Sequence, residues 1–276
     1  LIIVNTVMVA VATAMVGVIS FVGLVIPHVL RMLKSTAYPF LIPASTLLDA
    51  VMMSVVDIVA RVIIPPASML NPDPPASVVA GNVETSTCIT NALFGALGVM
   101  AGSQPTMNNF TFGNARYQYY ETISGGSGAG AELDAAGQMI EGFDGTSVVQ
   151  THMTNSRLTD PEVLEFRFPV RLESYEIRQG SGGAGRWHGG DGGVRRVKFL
   201  EAMTASILSN GRVHPAFGMA GGEPGRVGIN RVVRVDGTVE ELGHIGQVPM
   251  QPGDVFEIHT PGGGGFGRPA GDSPPD

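Results

Sequence analysis

The chain has 276 residues, 44% of them hydrophobic, so it can bury a sizeable core as one large domain or two small ones. Its 17 Lys and Arg are outnumbered by 24 Asp and Glu, and no basic run occurs; a net charge of −7 excludes the electrostatic footprint of a nucleic-acid binder. A single cysteine, Cys88, excludes an internal disulfide and a thiolate zinc cluster, and makes the cytoplasm the default location.

Residues 1–26 contain no charged side chain, a stretch longer than the roughly 20 apolar residues that span a bilayer. No basic residue precedes it and it is too long for a signal-peptide core, so a hydrophobic helical segment with membrane contact is expected. A second apolar stretch, 38–64, is interrupted by Asp49, Asp57 and Arg61. The positive-inside rule places His28, Arg31 and Lys34, between the two stretches, in the cytoplasm. The interior acids keep an alternative open, a buried hydrophobic hairpin in a soluble protein. The motifs FVGLVIPH-x-x-R at 21–31 and D-x-x-A-R at 57–61 resemble the permease subunits of iron-siderophore and cobalamin ABC importers. That resemblance covers residues 1–60, and one or two helices cannot wall off a transport path, so the chain is not expected to be an importer by itself.

Beyond Arg61 the pattern is that of a soluble domain, 61–276. Residues 63–82 read as proline-punctuated extended chain. A helix follows within 84–102, with Thr85 or Ser86 as N-cap and Gly102 past its end. Ile89, Leu93, Ala96, Leu97 and Met100 share one face, which is expected to pack inward, and Gly95 and Gly98 suggest close packing. From Glu165 onward Phe166, Phe168, Val170 and Leu172 alternate as in a strand, and the switch to Tyr175 and Ile177 predicts a bulge. Asp236-Gly237 predicts a two-residue hairpin, and 255–259 a further short strand. The fold class expected is α+β, a β-rich, glycine-turn-rich domain with a few helices.

Two glycine tracts, SGGAGRWHGGDGGVRR at 181–196 and TPGGGGFG at 260–267, raise the question of phosphate binding. Neither continues into Lys-Ser or Lys-Thr, and neither lies between a strand and a helix, as phosphate and dinucleotide loops require. Trp187, His188 and Asp191 within the first tract argue against a linker. The reading is structural, from left-handed backbone positions and close backbone approach, with the lining of a substrate cavity as the alternative.

The richest polar cluster is VQTHMTNSRLTDPEVLEFR at 149–167, which offers His152, Thr154, Asn155, Arg157, Asp160, Glu162 and Glu165. Thr159 or Asp160 before Pro161 also reads as a helix N-cap, with Glu162 and Glu165 at the positive end of that helix. His152 is open to a structural or a functional reading. The histidines show no H-x-x-x-H or H-E-x-x-H spacing, and there is no G-x-S-x-G elbow.

The stretches 68–86, 107–114, 119–130, 151–165 and 221–225, together with both glycine tracts, resemble in order the B component of the hydantoinase and 5-oxoprolinase family, related to the acetone carboxylase α subunit. The resemblance covers about residues 61–269. It implies ATP-dependent opening of a cyclic amide such as 5-oxoproline or a hydantoin. An A-type partner handles ATP and the B component supplies a metal-assisted site, so a divalent metal and ATP are implied for the intact assembly. On this resemblance His152, Asn155, Arg157 and Asp160 become catalytic candidates, and Asn108, Asn109 and Glu121 substrate-binding candidates. The family's metal ligands belong to the N-terminal half of the B component, where this chain carries permease-like sequence, and 131–145 is longer than the usual link. A truncated component is therefore expected, with no metal site of its own and no activity in isolation. Two alternatives remain, a catalytically silent scaffold docking on an A-type partner and a permease remnant.

Overall fold

The computed structural model describes residues 73–75, 81–133, 139–152 and 154–269. The chain divides at Thr85/Ser86, and the unit Ser86–Asp276 carries the elements that follow. The expected boundary at 60/61, the permease-like segment and its apolar stretches lie outside the described residues. Among the described residues no helix is long and apolar enough to cross a membrane.

Among the described residues of this unit eleven strands and two helices follow one another. Helix α1, Ser86–Leu97, precedes β1, Asn109–Gly113; β2, Gln118–Thr122; and the hairpin β3, Gly130–Leu133, with β4, Met139–Phe143. Helix α2, Pro161–Arg167, leads to β5, Val170–Ile177; β6, Gly193–Phe199; and β7, Met203–Leu208. The last strands are β8, Ile229–Val233; β9, Val239–Leu242; β10, Ile245–Met250; and β11, Val255–His259. One sheet runs β10-β7-β1-β2 and the other β5-β6-β11-β8-β9, with antiparallel pairing throughout. Their inner faces close on a common core, where Phe110 meets Phe256 at 4.8 Å and Phe112 meets Phe199 at 5.4 Å between ring centres. The result is a β-rich sandwich, with period-two burial as its organising rule. On β6 that rule turns Val197 and Phe199 inward and carries Arg195 in with them.

Local chemistry explains several elements. Asp160 caps α2 by accepting from Glu162 N at 3.1 Å, with Pro161 in the first turn. The helix consumes Glu165 and Phe166, so the strand expected from Glu165 begins only at Val170. Its register shifts between Leu172 and Ser174, where the apolar alternation changes phase. The β8–β9 hairpin has a three-residue loop, Val235–Gly237, rather than the two-residue loop expected: Arg234 N donates to Thr238 O at 2.8 Å and Gly237 takes the left-handed conformation.

Helix α1 reverses the expected orientation. Ile89, Leu93 and Leu97 are 41%, 54% and 60% exposed, while Thr87 and Asn91, one turn apart, are buried. The buried side is polar because Asn91 bonds the backbone of Ser103 through both ends of its amide. The helix stops at Gly98 rather than Gly102: Gly98 is left-handed, its N–H donates to Gly95 O and Val99 N–H donates to Phe94 O, a Schellman closure. Gly95 does mark close packing, since a Cβ there would lie 2.9 Å from Phe217 Cζ.

The glycine tracts form a bundle of extended segments. A Cβ on Gly262 or Gly265 would fall 1.9 or 2.2 Å from the carbonyl oxygens of Ser181 or Ala184. One on Gly263 would meet Ser127 O and one on Gly264 Phe217 O, each at 1.9 Å. Three successive positions thus face three different neighbours and the fourth returns to the first, the three-residue period of a polyproline-type helix. Such a helix has no internal hydrogen bonds, so its polar groups go outward: Gly263 N to Gly190 O, Gly264 N to Gly102 O and Gly265 N to Glu223 O. None of Gly182, Gly183, Gly189 or Gly190 has a left-handed φ. Close approach from every side, not backbone handedness, requires glycine at these positions, whereas Gly267 at the end of the second tract is left-handed.

Candidate functional site

Residues 148–152 and 154–158, between β4 and α2 in sequence, lie against the end of β2. Val149 N donates to Gly125 O at 2.8 Å, Gln150 Nε2 lies 3.2 Å from Thr122 Oγ1, and Ser156 Oγ is 2.7 Å from the same hydroxyl. Opposite stand Ser124 and Tyr175 of β5, joined through their hydroxyls at 3.0 Å. Between these walls is a cleft of about 590 Å³, lined also by Val148, Thr154, Asn155, Arg157 and Leu158. Val148 and His152, both on the cleft, have left-handed backbones at φ 52 and 60°. For a β-branched residue such as Val148 that conformation is strained, a kind of strain that clusters at functional sites.

The cleft gathers three of the catalytic candidates, His152, Asn155 and Arg157, with Asn155 and Arg157 exposed. His152 Nε2 is 2.8 Å from Asn91 Oδ1, and its ring leans on Phe94 with centres 5.9 Å apart. Burial holds its pKa down to about 4, so the imidazole is neutral at pH 7. Asp160 is outside the cleft lining and spends its carboxylate on the α2 cap. Gln150 Oε1 and Thr154 Oγ1 are buried, and among the described residues neither has a hydrogen-bond partner.

The substrate-binding candidates scatter. Asn108 is fully buried and left-handed, with its amide bonded to Gln104, Ile123 O and Arg212. Glu121 lies inside the sandwich, where Arg195 grips both carboxylate oxygens at 2.6 and 2.9 Å. Tyr119 Oη adds a contact at 2.8 Å; burial, then the Glu121 charge, push that phenol up to about 12. Asn109 sits on β1 with its Oδ1 buried and, among the described residues, without a partner. The Arg195 guanidinium lies 5.4 Å from the Tyr175 ring centre, so the buried pair stands behind one wall of the cleft.

Sequence reasoning passed over Gln150, Ser124, Tyr175 and Asn91. Gln150 lies within the polar stretch already singled out, whereas Tyr175 enters the sequence reading only through the change of phase that predicts a bulge. Asn91 had a signal in its four-residue spacing from Thr87, the polar stripe opposite the apolar one.

Among the described residues no three His, Cys, Asp or Glu side chains come together to hold a metal. The N–H groups of Gly183, Gly189, Gly190 and Gly263 are already donated to backbone carbonyls, so the glycine tracts have none of these to offer a phosphate.

The family model for hydantoinase B/oxoprolinase matches residues 51–269, and that for the FecCD transport family matches residues 1–81. A 5-oxoprolinase of Dictyostelium discoideum is 44% identical over 206 residues, covering 75% of this chain and 16% of the relative. A 5-oxoprolinase of Saccharomyces cerevisiae is 46% identical over 218 residues, covering 74% of this chain and 17% of the relative. The chain thus spans about a sixth of the length of these curated relatives. The crystal structure of an ATP-dependent caprolactamase from Pseudomonas jessenii shares the fold, with a TM-score of 0.54 and 23% identity over 75% of this chain and 38% of that one. With its motifs in order and a family model matching most of its length, the chain belongs to the hydantoinase B/oxoprolinase family.

Proposed function

We propose that the cleft beside His152 is part of the substrate site of an ATP-dependent hydrolase component that opens cyclic amides, 5-oxoproline or hydantoins. The observation that carries this reading is the pair of buried, unpartnered oxygens, Gln150 Oε1 and Thr154 Oγ1, on the wall next to a neutral histidine. A buried polar atom without a partner costs about 1–3 kcal/mol; both oxygens are closed off from solvent, so a ligand N–H reaches them, and offsets that cost, only with a shift of the wall side chains. A lactam or imide ring brings one N–H and at least one C=O. Gln150 and Thr154 accept from the N–H, Asn155 and Arg157 donate to the carbonyl oxygen, and His152 accepts a proton from the ring nitrogen or from water. ATP and the divalent metal enter through other parts of the assembly, an A-type partner for the nucleotide and residues outside the described ones for the metal. The isolated chain is then inactive.

The test is ligand binding to the full chain. Addition of 5-oxoproline or hydantoin is expected to raise its melting temperature and to shift the Gln150 side-chain amide resonances, with both effects weakened in Gln150→Leu. Absence of both effects at millimolar ligand would overturn the reading of the cleft. Calorimetry with Zn²⁺ and Mn²⁺ is expected to show no stoichiometric binding. Metal binding abolished by His152→Ala would instead place the metal in this cleft. A second reading, a silent scaffold docking on an A-type partner, is favoured by the exposed apolar stripe of Ile89, Leu93 and Leu97. Association with such a partner, without any ligand effect at the cleft, would select it.

A further inference from the structure

We infer that Asn91 is a positioning residue that fixes the tautomer of His152, with the proton on Nε2 and an unprotonated Nδ1 left for the cleft. Asn91 is 6% exposed, and it meets Ser103 twice: Asn91 Nδ2 donates to Ser103 O and Ser103 N donates to Asn91 Oδ1, each at 3.0 Å. A backbone N–H can only donate and a carbonyl can only accept, so the two ends of this amide cannot be exchanged. The end that faces His152 is therefore the oxygen. Oδ1 has a second lone pair and no proton, and His152 Nε2 lies 2.8 Å from it. Nε2 must be the donor, and in a neutral imidazole Nδ1 then carries the free electron pair.

The rest of the surroundings agree. Phe94, one turn from Asn91 on α1, packs against the ring and limits its rotation. Among the described residues no charged side chain pairs with His152, and burial alone lowers its affinity for a proton; Arg157 is the charged group on the same cleft. The left-handed backbone at His152 is part of the same local arrangement. Asn91 and His152 are 61 residues apart in sequence, so the arrangement depends on the docking of α1 through its polar side. Within the proposed function, on which the catalytic meaning rests, Nδ1 is the atom that accepts the proton of a ring N–H or of water, and Asn91 acts only through it.

The test reads the tautomer directly. The full chain, labelled with ¹⁵N at the imidazoles of its six histidines, is followed by long-range ¹H–¹⁵N correlation, and the His152 signals are assigned by their loss in His152→Gln. The parent is expected to show one pyridine-type nitrogen, with the coupling pattern of Nδ1, at neutral pH and down toward the titration near pH 4. A protonated Nδ1 in the parent, or rapid exchange between both tautomers, would overturn the inference without any variant. Asn91→Leu is expected to give a mixed tautomer. Asn91→Asp, which keeps the shape of the side chain should the first variant fail to fold, is expected to retain the tautomer and raise the His152 titration midpoint by about one pH unit or more. Folded variants with unchanged ring signals would mean that Asn91 merely packs. A fixed tautomer in a chain that binds no cyclic amide would leave this inference standing and remove the function proposed for the cleft.

Discussion

Replacing Glu121 by Gln keeps the shape of the side chain and removes its charge, so it isolates what the buried carboxylate contributes. Arg195 is 1% exposed and Glu121 5%, and their two bonds of 2.6 and 2.9 Å are supported by Tyr119 Oη. Glu121→Gln leaves a guanidinium inside the sandwich without a counter-charge, which costs about 3–5 kcal/mol. At about 2–4 °C per kcal/mol for a unit of this size, the melting temperature should fall by roughly 6–20 °C. Arg195→Met should cost a similar amount by stranding the carboxylate. The double variant carries neither charge and should recover most of the loss, because neutral residues of similar volume often replace a buried pair without penalty. Thermal melts of the four proteins give the coupling as the departure from additivity. Additive losses, or Glu121→Gln melting like the parent while losing ligand binding, would refute the reasoning and return Glu121 to the substrate site.

Gly183→Val and Gly190→Val should each lower stability by about 1–3 kcal/mol. A Cβ would stand 2.0 Å from Glu223 O in the first and 2.1 Å from Thr146 O in the second, and unchanged melts would contradict the bundle. His152 makes stability depend on acidity: its folded pKa of about 4 lies below the ordinary 6.5, so its stabilisation is full above pH 6.5 and is lost as pH falls from 6.5 toward 4. Denaturant titrations across that window should show a shallower fall for His152→Asn than for the parent, and parallel curves would argue against a buried neutral imidazole. Asp160→Ala should destabilise by about 1 kcal/mol through loss of the α2 cap, with Asp160→Asn restoring most of it. A loss of ligand binding in Asp160→Asn without a change in stability would instead give this carboxylate a role in the cleft.

Features resting on a few adjacent residues were legible in the sequence. Pro161 after Asp160, Asp236-Gly237, the phase switch before Tyr175 and the strand at 255–259 all act through backbone sterics and hydrogen bonds within one or two turns. The polar stretch around His152 was visible for the same reason, as residues close in sequence that lie along one cleft wall. What the sequence could not decide is which surface each element meets. The apolar stripe of α1 was legible as far as Leu97, Met100 lying beyond the helix, but it was assigned to the wrong side, because the cover comes from Ser103, whose backbone groups need the Asn91 amide. Glycine density was plain, yet its cause, segments from 101–104, 125–130, 181–190, 216–226 and 261–267 converging, exists only in three dimensions. Arg195 and Glu121 are 74 residues apart, so alternation with Val197 and Phe199 turns Arg195 inward without naming its partner. Local preference acts through neighbours in the chain, whereas burial, charge pairing and the tautomer of His152 depend on groups that only the assembled sandwich brings within hydrogen-bond distance.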